Sequence, residues 1–431
     1  MRAFVFINQQ SFAKNIMVDI AHALERLGWQ IHWADIDDLI KKNRHKAPDE
    51  RRRLVHDFLR EVEDFDPHII FSYGLEYCNP VFRELLPEMT SPLFDLIDRP
   101  AVFFLFDFGS PFKGSLTDSM ASLCRRLQDS RYLFFCWDRE AMGVMERHGF
   151  SKVFYFPMAV DENVFYQTPQ TPEDQARYGA NIAFIGGPTE KRIEHLEAIS
   201  GQGLKIYGYD EKAWGASSAL RNCYSGVVYE RDELRKIYNG AKISVNVTRQ
   251  HGFSSLNMRV YEAMACGSLM MTDDKADARE LFEEGRELVI YRNKEELRKK
   301  VGYYMAHEDE RQAIAAAGRK RVLELHTYVT RLRESFPMIR DFYRESLLFD
   351  EADRFIARDP EKGLRFLRFE QTREKIQQNN DNYYYYLATL HGHLGNKEEA
   401  RSCLAAALDA NRDHLAGLAL EREWKDRAEG H

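Results

Sequence analysis

The chain has 431 residues, 44% of them hydrophobic and 30% charged, with a formal net charge of −7 and a pI near 6.1. That length exceeds one compact core, so two or three domains are expected, and the composition is that of a folded globular protein. The acidic balance excludes a general nucleic-acid binder, which needs a basic surface.

Short apolar runs alternate with longer amphipathic stretches along the first 300 or so residues. The runs of the first half are Ala3–Ile7, Gln30–Ala34, His68–Ser72, Ala101–Phe106, Tyr132–Cys136 and Val153–Phe156, with helical patterns such as Ala13–Leu27 and Tyr77–Leu86 between them. Runs this apolar suit strands buried on both faces, and the alternation predicts a parallel sheet covered by helices. The basic clusters Lys41–Lys46 and Arg51–Arg53 sit beside acidic or apolar helical residues and read as solvated helix faces or as phosphate patches. Asp161–Ala180 is polar, carries two prolines and breaks the rhythm as a linker would. The pattern then restarts with Ile182–Gly186, Leu204–Tyr207, Lys242–Val247, Ser268–Thr272 and Glu287–Tyr291. Ligands of such sheets bind beyond the carboxyl ends of the strands, and two sheets face to face make a cleft.

Asp309–Leu347 is helical and strongly charged. Within Asp381–His414, the residues Tyr384, Leu387, Ala388, Leu394, Gly395, Ala400, Leu404 and Ala407 fall where a tetratricopeptide repeat places its packing residues, with Gly395-Asn396 as the turn. One repeat cannot bury its own face, so the helices of Leu347–Gln378 are expected to pack against it. Such a tail serves either as a stabilising cap or as a platform for a protein partner.

The six cysteines, Cys78, Cys124, Cys136, Cys223, Cys266 and Cys403, show no CxxC pair and no Cys/His spacing suited to zinc, which fits free thiols in a reducing compartment. The opening MRAFVFINQQ has too short an apolar run for a signal peptide. No run approaches the roughly 20 apolar residues of a membrane helix. A cytoplasmic location without a membrane span is expected.

The most informative stretch is Arg249–Asp273. A strand runs into a loop with Gly252, Ser254-Ser255 is placed to cap a helix, and the helix runs from about Leu256 to Ala265 before Gly267 stops it. That helix is apolar almost all round, through Leu256, Met258, Val260, Tyr261, Ala263, Met264 and Ala265, and is therefore buried. Yet it carries Glu262. A buried carboxylate costs several kcal/mol (on the order of 2–7 for a polar group left unbonded) unless it is paired or hydrogen-bonded. Vicinal sugar hydroxyls can bond it. The helix N-terminus offers free amides and a positive dipole to a diphosphate, with Arg249 or Arg259 to neutralise the remaining charge. The residues thus describe either a nucleoside-diphosphate site or a structural ion pair of Glu262 with Arg259 or Arg249.

Asn257-Met258-Arg259 and Glu262-Ala263 with Ala265 and Gly267 resemble the NMR-x-x-EA-x-A-x-G motif of group 1 glycosyltransferases, in the branch that includes spore-maturation (CgeB-like) proteins. Phe156–Asp161 followed by Phe165 resembles the P-x-G-V-D-x-x-x-F segment that joins the two domains of that family. Ile185-Gly186 with Lys191-Arg192, and Leu281-Phe282 with Gly285, resemble its nucleotide-domain opening and its L-F-x-x-G. The resemblance spans about Phe154–Leu325.

The resemblance implies the α/β GT-B fold: two Rossmann-like domains facing a cleft, here with a small all-α helical-repeat tail. The expected division is 1–160 for the acceptor domain, 161–180 for the linker, 181–326 for the nucleotide-sugar domain, 327–348 for a crossover helix returning to the first domain, and 349–431 for the tail. It implies transfer of a sugar from a nucleoside-diphosphate sugar, UDP-sugar favoured, to a glycan, metabolite or protein acceptor. The transfer would retain anomeric configuration and use no metal and no cofactor, the nucleotide-sugar being a substrate. Glu262 would bind the donor ribose, and Ser255, Leu256 and Asn257 would offer amides to the diphosphate. Gly186, Lys191 and Arg192 would lie on the phosphate side, and Tyr207–Tyr209 and Tyr229–Glu230 would contact the base. Many retaining relatives carry two glutamates separated by seven residues; position 254 is serine, so the first acid is missing.

In the first domain, Asp107 follows a strand in FFLFDFGSP and reads as a base for the acceptor hydroxyl or as a turn cap. Asn8 and Ser11 carry the same two readings. Asp35-Ile36-Asp37 reads as a helix cap rather than a metal site, Asp273-Asp274 as a turn, and His391 with His393 diverge on a helix. His251 sits before the key helix as a donor to the diphosphate or as a solvated loop histidine. Competing functions are a non-catalytic scaffold holding a partner by its tail, and a nucleotide-sugar epimerase or hydrolase.

Overall fold

The computed structural model describes residues 1–7, 13–35, 43, 45–73, 99–105, 132–147, 150, 152–209, 211–249, 254–372, 380–412 and 414–429. Asp107, Asn8, Ser11, Asp37, His251, Cys78, Cys124 and the helix expected over Tyr77–Leu86 lie outside these residues.

The first sheet has six strands in the order β2-β1-β3-β4-β5-β6: β1 Arg2–Ile7, β2 Gln30–Asp35, β3 Ile69–Tyr73, β4 Ala101–Leu105, β5 Tyr132–Cys136 and β6 Val153–Tyr155. The second has five in the order β11-β10-β9-β7-β8: β7 Ala180–Ile185, β8 Leu204–Tyr207, β9 Ala241–Asn246, β10 Leu269–Asp273 and β11 Val289–Tyr291. All pairings among the described residues are parallel. Parallel strands need crossovers, and the helices that make them cover both faces. That is why AVFFL and YLFFC of β4 and β5 are buried throughout, with Phe103 stacked on Phe134. β2 lies at the edge and is only partly covered.

The helices of the first domain are α1 Ala13–Arg26, α2 Pro48–Phe65 and α3 Arg139–Arg147. The expected linker contains a helix, α4 Pro172–Tyr178, with Thr171 Oγ1 accepting from the Asp174 amide and Pro172 in its first turn. Ala180, its expected last residue, already belongs to β7. The second domain adds α5 Glu190–Glu197, α6 Glu211–Ala216, α7 Arg231–Gly240, α8 Met258–Ala265, α9 Ala276–Leu281, α10 Lys294–Ala306 and α11 Glu308–Leu325. α12 Tyr328–Arg358 then returns to the first domain, where Phe336 stacks on Trp29 with ring centroids 5.5 Å apart. It passes the expected boundary at 348 because no glycine or proline stops it there; it ends where Asp359 and Pro360 begin the next helix.

The tail comprises α13 Pro360–Thr372, α14 Asp381–His393, α15 Lys397–Ala410 and α16 Leu415–Glu429. α14 and α15 form a helical hairpin whose turn places Gly395 at φ +78°, with Ala388, Ala400 and Ala407 buried between them. Phe349, Ala352, Leu364 and Leu367 pack against Tyr383, Tyr386, Leu387 and Leu390, so α12 and α13 cover the hairpin as expected. No helix among the described residues is long and apolar enough to cross a membrane. Cys136, Cys223, Cys266 and Cys403 are free thiols.

One hydrophobic core runs through both domains by way of the connection Phe156–Val160, which meets Leu256, Val260 and Tyr261 of the second domain and Tyr328 and Leu332 of α12. In α11, Gly318 lies so close to the turn leading into β11 that a Cβ there would stand 2.1 Å from the Glu287 carbonyl oxygen and 2.8 Å from Met264 Cε. Gly318→Ala is expected to lower stability by about 1–3 kcal/mol, the usual cost of overpacking. A thermal melt unchanged from wild type would contradict so close an approach.

Candidate functional site

The carboxyl ends of β7, β9 and β10 and the N-terminus of α8 converge. Asn257 caps α8, its Oδ1 accepting from the Arg259 amide at 3.1 Å, and its Nδ2 donates to Asn246 Oδ1 at 2.8 Å. The cap is therefore Asn257, and the expected capping by Ser254-Ser255 is corrected. Asparagine here both ends the loop and ties it to β9. Among the described residues the amides of Leu256, Asn257 and Met258 have no hydrogen-bond partner. Free amides at a helix N-terminus are an anion site in waiting.

Three guanidiniums gather at the same place. Arg192, buried, donates from Nε to the Val247 carbonyl at 2.9 Å and from NH1 to the Gly187 carbonyl at 2.8 Å, joining the loop after β7 to the end of β9. Burial pushes its pKa down to about 10, and the charges of Arg259 and Arg249 push in the same direction. Arg249 is exposed and donates to Tyr209 Oη at 2.6 Å. Among the described residues none of the three is in an ion pair. Lys191, in contrast, is already paired: its Nζ lies 2.6 Å from Asp273 Oδ2. The same carboxylate accepts from the Thr248 amide at 3.1 Å through Oδ1. Asp273, read from sequence as part of a turn, ends β10 and fixes Lys191.

Gly186 and Gly187 allow the loop after β7 to pack closely. A Cβ on Gly187 would stand 2.1 Å from the Tyr209 ring, and one on Gly208 would stand 1.9 Å from the Gly186 carbonyl oxygen. Tyr209 thus covers the loop. Tyr207 does not reach the site: it is 3% exposed and packs with Tyr178, Ala183, Ile237 and Ala241. The expectation that it contacts a base is corrected, because the last residue of β8 is walled in by β7 and α7. Tyr229 is 72% exposed, the most exposed large hydrophobic residue described.

Glu262 is 8% exposed. Its Oε2 accepts from Tyr238 Oη at 3.2 Å. Burial raises its pKa, against the charges of Arg259 and Arg231 and the Tyr238 bond. It forms no ion pair with Arg259 or Arg249, so the structural alternative read from sequence is not what is found. The Leu256 side chain is part of the core, which leaves only its amide at the start of α8. The Ser255 amide is not free: it donates to Asp138 Oδ2 at 3.1 Å, as Ser254 does at 3.0 Å. Its expected role toward a diphosphate is corrected accordingly.

Two groups escaped the sequence reading. Asp19 of α1 accepts from Arg231 NH2 of α7 at 2.7 Å, an ion pair between domains 212 residues apart. Burial pushes Asp19 up to about 7, against Arg231 and with help from Asp161 and Glu262. Asp138 was detectable only as a helix-cap signal after a strand. Asp19, His22 and Asp161 bring ligand atoms within 4.8 Å of one another, the sole such group among the described residues. Arg231 already holds Asp19, and Arg26 approaches Asp161 to 3.9 Å, so guanidiniums occupy the charge a cation would need.

Comparison with known proteins agrees with this fold. Residues 190–336 match the family described as "Glycosyl transferase-like". The chain is 25% identical over 199 residues to the spore protein CgeB of Bacillus subtilis (strain 168), covering 42% of this chain and 59% of that protein. The chain thus spans about 59% of the length of this curated relative. Among solved structures, sucrose-phosphate synthase (tll1590) of Thermosynechococcus elongatus superposes with a TM-score of 0.56 at 12% identity, over 80% of this chain and 99% of that one. Anabaena Alr3699/HepE, solved in complex with UDP and glucose, gives 0.58 at 12% identity over 79% and 99%. The chain has the GT-B fold, and its second domain carries a glycosyl transferase-like domain.

Proposed function

We propose that the protein is a glycosyltransferase that takes its sugar from a nucleoside-diphosphate donor, a UDP-sugar. The observation that carries the reading is the set of unpartnered Leu256, Asn257 and Met258 amides at the start of α8, beside three guanidiniums that have no carboxylate among the described residues. Like charges held together this way cost free energy until an anion joins them. A diphosphate supplies that anion, and it develops further charge as the leaving group of the transfer. Glu262, one turn into the same helix, would accept from ribose hydroxyls, and the exposed rings of Tyr209 and Tyr229 would serve a base. The UDP held by Anabaena Alr3699/HepE and the domain match support the donor class.

The cations already present at the site support transfer without a metal. Retention of configuration is proposed from the family resemblance, and the acceptor is a glycan, a small metabolite or a protein. The helical tail favours a macromolecular acceptor or partner, and no nucleic acid is expected to bind. Heats of binding against UDP-, GDP-, ADP- and dTDP-sugars, each with and without a chelator, test the reading. Binding of one nucleotide class, unaffected by the chelator, is the expected result. Absence of any nucleotide binding by folded protein would sink it and leave a non-catalytic scaffold as the better account.

A further inference from the structure

Asp138 is 0% exposed and serves two domains at once. Its Oδ1 accepts from the Glu140 and Ala141 amides at 2.9 and 3.1 Å and so caps α3. Its Oδ2 accepts from the Ser254 and Ser255 amides of the other domain at 3.0 and 3.1 Å, across 116 and 117 residues of sequence. Four amide donors on one buried carboxylate leave it no vacancy for substrate, so it is not a catalytic group. The Ser254 and Ser255 amides lie immediately before the free amides of Leu256, Asn257 and Met258. Fixing two successive peptide units fixes the direction of the next. Ser254 is buried with its Oγ 3.5 Å from Asp138 Oδ1, so an acidic residue at 254 would set a second carboxylate against the first.

We propose that Asp138 is a positioning residue: an interdomain latch that holds the loop before α8 in its anion-receptive form, so that the donor site is complete only while the two domains are closed. The second half of this statement rests on the donor reading above; the first does not. The latch explains why serine suits position 254: the carboxylate that meets this loop arrives from the opposite domain. It also makes the site's geometry respond to any motion about the connection Phe156–Val160.

Asp138→Ser separates the two roles, because a serine caps a helix well but has one oxygen and a shorter reach. Hydrogen exchange of the segment 254–258 in the full chain, without nucleotide, is the first measurement. Asp138→Ser is expected to speed it by about tenfold or more, as a lost anchor opens a local unit, while Ser254→Ala, which keeps both backbone amides, leaves it near wild type. UDP affinity should fall by about tenfold in Asp138→Ser, the scale of one lost hydrogen bond to a charged group, and stay within twofold in Ser254→Ala. Asp138→Asn, which keeps the size but turns an amide donor toward backbone donors, should behave like Asp138→Ser. Unchanged exchange in both folded Asp138 variants would overturn the latch. Faster exchange with unchanged UDP affinity would overturn its coupling to the site. Should wild type bind no UDP, the donor reading falls and the exchange comparison alone decides the latch.

Discussion

Glu262→Ala is expected to weaken nucleotide binding by about 2 kcal/mol or more, about thirtyfold in Kd, the scale of a hydrogen bond to a charged group. The side chain is nearly enclosed, its one protein hydrogen bond comes from Tyr238, and one oxygen is left for a ligand hydroxyl. Glu262→Gln keeps the shape and one acceptor, so it should lose less affinity than the alanine variant. Stability should move the other way. Burial raises the folded-state pKa of Glu262 above its unfolded value, so the ionised form destabilises the fold at neutral pH. Glu262→Gln removes that penalty and is expected to unfold no more readily than wild type at pH 7. The opposed movements separate a binding role from a packing role. Titration calorimetry with the preferred UDP-sugar and a denaturant melt read the two quantities. A Kd within twofold of wild type for the alanine variant would remove Glu262 from the site.

The second large effect concerns the interdomain pair of Asp19 and Arg231. Arg231→Ala leaves Asp19 buried beside Asp161 and Glu262 with no guanidinium, and breaking a buried pair this way costs about 3–5 kcal/mol. The pH dependence follows from the folded value of about 7 for Asp19 against the ordinary aspartate value of 3.8 in the unfolded chain. Below the lower value both states hold the proton and Asp19 contributes nothing. Between the two the folded state alone holds it, so stability falls as pH rises, and it levels off above about 7. Its steepest slope is about 1.4 kcal/mol per pH unit. His326, which burial pushes down to about 3, gives the opposite slope over part of the same range, because there the unfolded state alone is protonated. The difference between wild type and Asp19→Asn therefore isolates Asp19. Wild type should lose stability relative to Asp19→Asn from pH 5 to pH 7. A difference that stays flat over that interval would show that Asp19 is ionised throughout.

Much of this was legible in the residues themselves. Every apolar run read as a strand is one, because a strand covered on both faces leaves no room for polar residues and so prints a continuous signal. The helix of Met258–Ala265 and the burial of Glu262 followed from apolar residues on all its faces. The crossover helix was implied by the family resemblance, and the packed hairpin of Asp381–Ala410 followed from repeat-like spacing and small residues at close approaches. Helix ends were less legible. Three polar residues within four positions, Ser254, Ser255 and Asn257, all have capping chemistry, and only the fold decided that Asn257 does it while the two serines turn their amides to Asp138.

The contacts that complete the candidate site belong to the tertiary structure alone. Asp19 with Arg231 and Asp138 with Ser254 and Ser255 join segments more than a hundred residues apart, and no local period or spacing encodes such a meeting. Tyr207 and Tyr209 make the same point at short range. Two tyrosines of identical chemistry, two residues apart, are separated by the neighbours that β7 and α7 place around the first and leave away from the second. Local sequence determined the strands, the helices and which carboxylate would be buried, since propensity and burial act over a few residues. Which amides remain free, which cations remain unpaired and which acid reaches across between the domains were settled only by folding, because those depend on what each group meets.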